Sequence, residues 1–271
     1  MYLCILYLVN YQHIQSLHLF LFLETAMPWQ SRWTVDIPQV DLPTFIFGSQ
    51  TESLGSKPLI VDADKPEYYL SRDTYRLWCK RLALGLQKNG LQPGDRVLLF
   101  SGNTIFFPVV FAGTIMAEGV FTGANPTYVP RELAYQLKDS GAKFLVTSDA
   151  SLATSLEAAE SIGFPRDRIF AFDPGYDTFD GRGKTVDGIQ HWSKLLASPQ
   201  EAESWRWKSL STSEELNRTV TLNYSSGTTG VPKGVMIAHG AYVANSVQVI
   251  NNARLDPEWD AKLKRASWIC L

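Results

Sequence analysis

Hydrophobic residues between positions 70 and 90 recur every three or four residues, which is the period of an α-helix with one buried face. The residues on that face are Tyr75, Trp78, Leu82 and Leu86. Ser71 precedes the pattern and is suited to cap the start of a helix, and Asn89 and Gly90 follow Lys88 as a stop signal. The pattern therefore predicts a helix over 72–88.

Strands and helices are predicted to alternate along the next hundred residues. Short apolar runs, typical of buried strands, lie at 97–100, 143–147 and 168–172. Helical patterns lie at 104–118, with Pro108 in its first turn and Gly119 closing it, at 130–140, with Gly141 beyond its end, and at 151–162. Such alternation favours parallel βαβ units. The predicted fold class is a layered α/β fold with a parallel sheet.

Less regular segments complete the prediction. Residues 173–184 are rich in Gly, Pro and acidic residues and predict a surface loop. Residues 192–196 predict a short helix, and residues 201–217 predict a polar link to the next unit. The final stretch, 267–271, predicts a strand with which the given chain ends, as if the sheet continued beyond it.

Composition narrows the classes of function. The chain has 271 residues, of which 45% are hydrophobic, so we expect an ordinary buried core. Its 25 basic and 27 acidic residues are mixed along the chain and give a formal net charge of -2. A basic surface that could hold nucleic acid is therefore not expected, and neither is association with an anionic membrane.

The three cysteines are far apart in the sequence. Cys4, Cys79 and Cys270 form no CxxC pair. This spacing argues against a zinc site and against a disulfide scaffold. We therefore expect free thiols in a reducing compartment.

The first 26 residues differ from the rest of the chain. They are rich in Leu, Tyr and Phe, but polar residues interrupt the run, and no Lys or Arg occurs before Arg32. A membrane span, a signal peptide and a mitochondrial presequence all fit this pattern poorly. We predict that residues 1–26 are a non-structural extension ahead of a start at Met27, with the two targeting peptides as the alternative.

The most informative segment is the loop Tyr224 to Gly234, YSSGTTGVPKG. Residues 219–224 before it alternate β-forming side chains and predict a strand. Residues 235–237 after it predict another strand, and a helical pattern begins near His239. The loop is therefore predicted to connect two strands.

The residue types in this loop suit a polyphosphate. Glycines let the main chain turn sharply, so that its N–H groups can approach a phosphate oxygen. Hydroxyl groups add donors, and a lysine adds a mobile positive charge on a long stem. The candidate phosphate-binding residues are Ser225, Ser226, Gly227, Thr228, Thr229, Gly230 and Lys233.

Two other interpretations of the loop fit its residues less well. An ordinary surface turn would not need four hydroxyls, two spaced glycines, a proline and a lysine within ten residues. A Walker A loop, GxxxxGK[ST], fails at two positions, because Pro232 takes the place of its second glycine and Gly234 that of its Mg²⁺-binding hydroxyl. An ATP-dependent NTPase or kinase is nevertheless the alternative enzyme class.

The loop resembles the phosphate-binding signature of the acyl-adenylate-forming superfamily, which includes acyl-CoA synthetases, 4-coumarate:CoA ligases, beetle luciferases and adenylation domains of peptide synthetases. Two further segments are similar to that family, LQPGDRVLLFSGN at 91–103 and AEGVFTGANPTYVPRELAYQLKDSGA at 117–142. The resemblance covers about 33–271 and is strongest to the 4-coumarate:CoA ligase and luciferase branch. It implies that the seven loop residues contact the β and γ phosphates of ATP.

The resemblance also implies a reaction and a domain plan. A carboxylic acid would be activated with ATP and Mg²⁺ to an acyl-adenylate, and its acyl group would pass to coenzyme A. Lys233 would stabilise the transition state by its charge, and no metal ligand is assigned. Residues 27–271 would be an incomplete N-terminal AMP-binding domain without the C-terminal domain, so we expect this chain alone to be inactive or a non-catalytic nucleotide-binding fragment. The location implied is cytoplasmic or peroxisomal.

One departure from the family concerns His239. The family commonly has Ser or Thr before this histidine and Asn two residues after it, whereas this chain has Ala238 and Ala241. The cap of the following helix is therefore altered. We predict a structural or capping role for His239 rather than a catalytic one.

Overall fold

The computed structural model describes residues 31, 33–173, 176–179, 181–225, 231–265 and 268–270. The chain divides by its internal contacts into two units, Met1–Asp36 and Ile37–Leu271. The described residues of the first unit, 31 and 33–36, contain no helix or strand. The predicted extension at 1–26 lies outside the described residues.

Strands and helices alternate along the second unit. Its strands are β1 (Pro58–Asp62), β2 (Tyr69–Ser71), β3 (Arg96–Phe100), β4 (Val120–Gly123), β5 (Ala142–Ser148), β6 (Ile169–Phe172), β7 (Gln190–His191), β8 (Thr219–Ser225), β9 (Lys233–Ala238) and β10 (Trp268–Cys270). Its α-helices are α1 (Leu42–Phe47), α2 (Arg72–Lys88), α3 (Phe107–Met116), α4 (Pro130–Ser140), α5 (Leu152–Ser161), α6 (Tyr176–Phe179), α7 (Pro199–Ser204), α8 (Ser213–Leu216), α9 (His239–Ala253) and α10 (Trp259–Arg265).

Seven strands form the main sheet, in the order β7-β6-β5-β3-β4-β8-β9. Neighbouring strands are parallel except for β8 and β9, which are antiparallel. Parallel neighbours need a crossover connection, and the helices between successive strands supply it. The sheet confirms the predicted α/β fold, and β9 forms one of its edges.

Both faces of the central strand β3 are buried. Val97 and Leu99 of β3 lie in the hydrophobic cluster that includes α2 and α3. Leu98 and Phe100 of the same strand lie in the cluster that includes α4 and α5. Because successive strand residues point to opposite faces, a sheet covered on both sides needs a continuous apolar run. The run at 97–100 has this role.

Helix α2 confirms the prediction made from its periodicity. Ser71 caps it, since its hydroxyl accepts the N–H of Thr74 and the Thr74 hydroxyl reaches back to the Ser71 N–H. Leu82 and Leu86 are buried in the core. The rings of Trp78 and Phe106 pack edge to face with their centroids 4.9 Å apart, as expected for a core residue. Strands β3, β5 and β6 and helices α4 and α5 likewise begin and end within one residue of the predicted positions.

Helix α3 is shorter than the predicted span of 104–118. It begins at Phe107, with Pro108 in its first turn, where the missing N–H of a proline is tolerated. The chain leaves the helix through Glu118, whose φ is 63°, and not through the predicted Gly119. Left-handed backbone is uncommon for a residue with a Cβ atom. The N–H of Gly94 donates to the Glu118 carbonyl at 2.8 Å and helps to hold it there.

Two segments predicted to be surface loop or link are partly buried. Residues 173–184 contain α6, and the Phe179 ring packs 5.0 Å from that of Phe106. Residues 201–217 include the end of α7, all of α8, and the buried residues Trp207 and Leu210. Isolated apolar residues in a polar stretch carry no periodic signal. Only tertiary packing reveals that they are buried.

A second sheet of three strands has the order β10-β1-β2. The predicted strand at 267–271 is present as β10, which pairs in parallel with β1. Within the described part of the chain, no helix has both the length and the apolar character that crossing a bilayer requires.

Candidate functional site

The candidate loop closes the hairpin formed by β8 and β9. The two strands pair along their length, from Thr219 opposite Ala238 to Ser225 opposite Lys233. Because β8 is parallel to β4, its last residue lies at the carboxyl edge of the sheet. Open α/β sheets bind ligands at this edge. The hairpin therefore presents its loop where such folds place a binding site.

The structure brings together the two described residues of the predicted phosphate-binding set. Ser225 ends β8 and Lys233 begins β9, and the two are direct partners across the hairpin. Both side chains are exposed. The other five members of the set lie outside the described residues: Ser226, Gly227, Thr228, Thr229 and Gly230.

Helix α4 holds both ends of the loop. The Tyr135 hydroxyl donates to the Pro232 carbonyl at 2.9 Å, and the Tyr224 hydroxyl donates to Asp139 Oδ2 at 2.5 Å. Tyr135 and Asp139 are four residues apart, so they lie on the same face of the helix. One contact fixes the loop just before β9, and the other fixes it near the end of β8. We call this pair of contacts the α4 clamp.

The packing of Tyr224 makes its contact with α4 specific. Burial and the hydrogen bond to Asp139 together raise the pKa of Tyr224 well above its ordinary value, so the hydroxyl stays a donor at neutral pH. Its ring lies over Gly234, where an added Cβ would come within 3.1 Å of the ring. A glycine at this position allows the ring to approach the β9 backbone.

A buried hydrogen-bond network links β8 to β4 and α4. The Thr122 hydroxyl of β4 donates to the Leu222 carbonyl at 2.8 Å. Gln136 of α4 donates from Nε2 to that hydroxyl at 2.9 Å and to the Gly123 carbonyl at 3.2 Å. The buried face of α4 therefore stabilises β8 through Gln136, and the exposed face of α4 contacts both ends of the loop.

Lys233 has its positive charge available to a ligand. Among the residues that the structure describes, it makes no ion pair, in contrast to Lys88, Lys208 and Lys262. An exposed ammonium beside backbone and hydroxyl donors can bind a phosphate oxygen without first breaking an internal bond.

The fit of a magnesium ion can be judged from the described residues only. Nowhere among them do three or more His, Cys, Asp or Glu side chains come together as metal ligands. Asp139, which lies beside the loop, already accepts the Tyr224 hydroxyl. Mg²⁺ is commonly held by one or two carboxylates together with substrate phosphates. We therefore assign no magnesium ligand among the described residues.

His239 has a structural position, in agreement with the prediction. It is buried at the start of α9, and its Nδ1 accepts the N–H of Leu42 at 3.1 Å. Burial lowers its pKa, the Arg218 charge adds to this, and Asp41 opposes it. The neutral ring therefore joins α9 to the start of α1. No side chain caps α9, since Ala238 occupies that place.

A cavity of about 530 Å³ lies at the opposite end of β8. Its walls include Arg218 and Thr219 at the start of that strand and Glu118 before β4. The starts of parallel strands lie at the edge of the sheet opposite their carboxyl ends. The cavity is therefore separate from the candidate loop.

Sequence reasoning missed the residues that hold the loop in place. Three of them, Tyr135, Gln136 and Asp139, belong to the predicted helix α4, whereas Thr122 lies in β4, which was not predicted as a strand. None of the four was predicted to contact 219–238. Tyr135 and Asp139 lie on the outer face of an amphipathic helix, where polar and aromatic residues are ordinary. The four-residue spacing of Tyr135 and Asp139 predicts that they share one face of the helix, but it does not predict which segment that face contacts.

Comparisons with known sequences show the family of this chain. The sequence profile of a family described as AMP-binding enzyme matches residues 48–270. A phenylacetyl-CoA ligase of Aspergillus niger is 34% identical over 224 residues, which are 82% of this chain and 40% of that protein. A 4-coumarate--CoA ligase of Pinus taeda is 33% identical over 195 residues, covering 72% of this chain and 33% of that protein. The chain thus spans about two fifths or less of the length of these relatives.

Solved structures match the fold. A luciferase-like enzyme from the nonluminescent mealworm Zophobas morio has a TM-score of 0.63 at 15% identity, covering 77% of this chain and 45% of that one. A red-emitting luciferase from Phrixothrix hirtus has a TM-score of 0.62 at 23% identity, covering 78% of this chain and 38% of that one. At these identities the likeness concerns the fold alone.

Proposed function

The chain belongs to the AMP-binding enzyme family, and from this we propose that its 225–233 loop binds the β and γ phosphates of ATP during the activation of a carboxylic acid. The observation that carries the proposal is the pairing of Ser225 with Lys233 at the carboxyl edge of the sheet. A hydroxyl and an ammonium that has no ion-pair partner among the described residues meet there, at the two ends of a loop rich in glycine and hydroxyl residues.

The proposed reaction has two steps. A carboxylate oxygen attacks the α phosphorus of ATP, and pyrophosphate leaves as the acyl-adenylate forms. The thiol of coenzyme A then attacks the acyl carbon, its proton is lost, and AMP leaves. The relatives named as CoA ligases support this assignment. The acid itself stays open among aryl, medium-chain and long-chain acids.

The loop would act in the first step. Negative charge builds on the leaving pyrophosphate, and fixed N–H donors with a nearby ammonium stabilise it without acid-base chemistry. The α4 clamp would limit the loop's freedom before the nucleotide arrives, which reduces the entropy lost on binding. Mg²⁺, when bound, would neutralise part of the phosphate charge.

The share of the reaction assigned to this chain is limited. It spans about 40% of its Aspergillus relative, and no adenine, ribose or acyl-pocket residue is assigned to it. We propose that the 271 residues alone bind the nucleotide phosphates without completing acyl transfer. A hydrolase or kinase, the alternative class, would instead consume ATP with no carboxylic acid present.

Titration of the chain with MgATP by calorimetry tests the proposal. Replacing Lys233 with Ala removes one charge-assisted contact and should weaken binding by about tenfold or more. Lys143→Ala is a matched control, because Lys143 is also an exposed strand lysine but lies in β5. Equal affinities for the two variants would remove Lys233 from the site.

Catalysis is tested separately in a protein extended to the full length of the relatives. Lys233→Ala should slow acid-dependent exchange of pyrophosphate into ATP by a factor of about 10 to 1,000. Exchange at the unchanged rate would exclude Lys233 from the chemical step. ATP consumption without added acid would favour the alternative class.

A further inference from the structure

A second cavity, of about 380 Å³, is lined almost entirely by polar and charged side chains. It lies where α2 faces α7 and the residues that follow it. Three cations line it, namely Arg76, Lys80 and Arg206, against two carboxylates, those of Asp73 and Glu203. Its walls contain no residue of the candidate loop, so its chemistry must be explained independently.

Lys80 is the most unusual residue in this cavity, because it is only 3% exposed. Lysines are rarely buried unless they are paired. Its ammonium has no carboxylate partner among the described residues and contacts two carbonyl oxygens, of Gln50 at 3.5 Å and Glu203 at 3.3 Å. Burial, together with the like charges of Arg206 and Arg76, lowers its pKa to about 8, although the Glu203 charge opposes this. The site thus holds a poorly compensated cation.

The two arginines have donors left for a ligand. Arg76 is 8% exposed, and it donates from one nitrogen to the Ser49 carbonyl and from another to the Asp73 carboxylate. Arg206 directs Nη1 to two carbonyls of its own segment. A guanidinium carries five N–H donors, so both retain further donors.

The two carboxylates offset only part of the charge of the three cations, so the cavity wall keeps a net positive charge. Asp73 accepts the N–H groups of Leu54 and Gly55 and the Ser53 hydroxyl in addition to Arg76. The Leu54 hydrogen bond is the largest cause of its lowered pKa. Asp73 is thus committed to its own loop. Two guanidinium groups and an ammonium remain around a space larger than a single anion, an arrangement suited to the terminal oxygens of a phosphate group.

We propose that this cavity binds the phosphate group of a small phosphorylated molecule. Arg76, Lys80 and Arg206 receive the phosphate. This cavity is distinct from the candidate loop, and the proposal does not depend on the function of that loop.

The probe is glycerol 3-phosphate, titrated calorimetrically into the 271-residue chain at constant ionic strength. Arg206→Gln is the test variant, because Arg206 is exposed and its loss leaves the buried residues in place. We expect binding at least about tenfold weaker than in the unmodified chain, since one charged donor group is lost. Lys143→Gln changes the net charge equally but lies in β5, and it should bind unchanged.

Two further measurements keep the outcome decisive. Lys233→Ala should leave this affinity unchanged, and loss of binding in that variant with retention in Arg206→Gln would overturn the proposal by placing the phosphate on the loop. Inorganic phosphate should bind more weakly, because it fills less of the cavity. Equal affinity for the two anions, or no binding of either up to 10 mM (roughly the limit for a weak site), would also overturn it.

Discussion

The hydrogen bond between Tyr224 and Asp139 should stabilise the end of the candidate loop by a measurable amount. The perturbation is Tyr224→Phe, which removes the hydroxyl and keeps the ring that packs on Gly234. A hydrogen bond to a carboxylate contributes about 1.5 to 3 kcal/mol to stability. Asp139 is exposed and Tyr224 is half-buried, so water competes for the bond. We therefore expect about 1 kcal/mol, or a factor of about five in the unfolding equilibrium.

A double-mutant cycle isolates this value. The free energy of unfolding in urea is measured for the unmodified chain, Tyr224→Phe, Asp139→Ala and the double variant. The coupling energy should be about 1 kcal/mol, because each single change removes the same contact. Purely additive effects would refute the reasoning, since they would mean that the two side chains do not interact in solution.

The pH dependence provides an independent check. The pKa of Tyr224 is raised in the folded chain. Its contribution to stability is therefore present below the ordinary pKa of a tyrosine, about 10, and is lost as the pH rises toward the folded value. The unmodified chain should lose more stability above pH 10 than Tyr224→Phe does. The same loss in both chains would contradict a raised pKa.

Two further predictions concern the frame of the fold. Gly85→Ala should lower the free energy of unfolding in urea by about 2 kcal/mol, because the added Cβ would lie 1.9 Å from the Leu195 carbonyl oxygen. The control is Gly240→Ala, whose added Cβ would lie 3.6 Å from its nearest atom, and it should leave the free energy of unfolding unchanged or raise it. The pKa of His239 is lowered in the folded chain, so its contribution to the free energy of unfolding is present above a pH of about 6.5 and is lost as the pH falls. His239→Asn should remove this loss of stability in acid, and the same dependence of stability on pH in both chains would refute the prediction.

Much of the fold is determined by local sequence patterns. Helix α2 follows from its 3.6-residue period and the Ser71 cap, and β3 follows from a short apolar run. These signals lie within one element, so they can be recognised without knowing what the element contacts. Family membership is determined in the same way, since the loop motif and its flanking strands are contiguous in the chain.

The tertiary structure alone determined which distant residues meet. Trp207 is buried and Phe179 is half-buried against partners far away in the sequence, and an irregular segment gives no periodic signal of such packing. The α4 clamp joins residues 85 and 97 positions apart. The cationic cavity likewise depends on α7 packing against α2. Residue types specify what a side chain can bind, but the packing of the elements decides what lies within its reach.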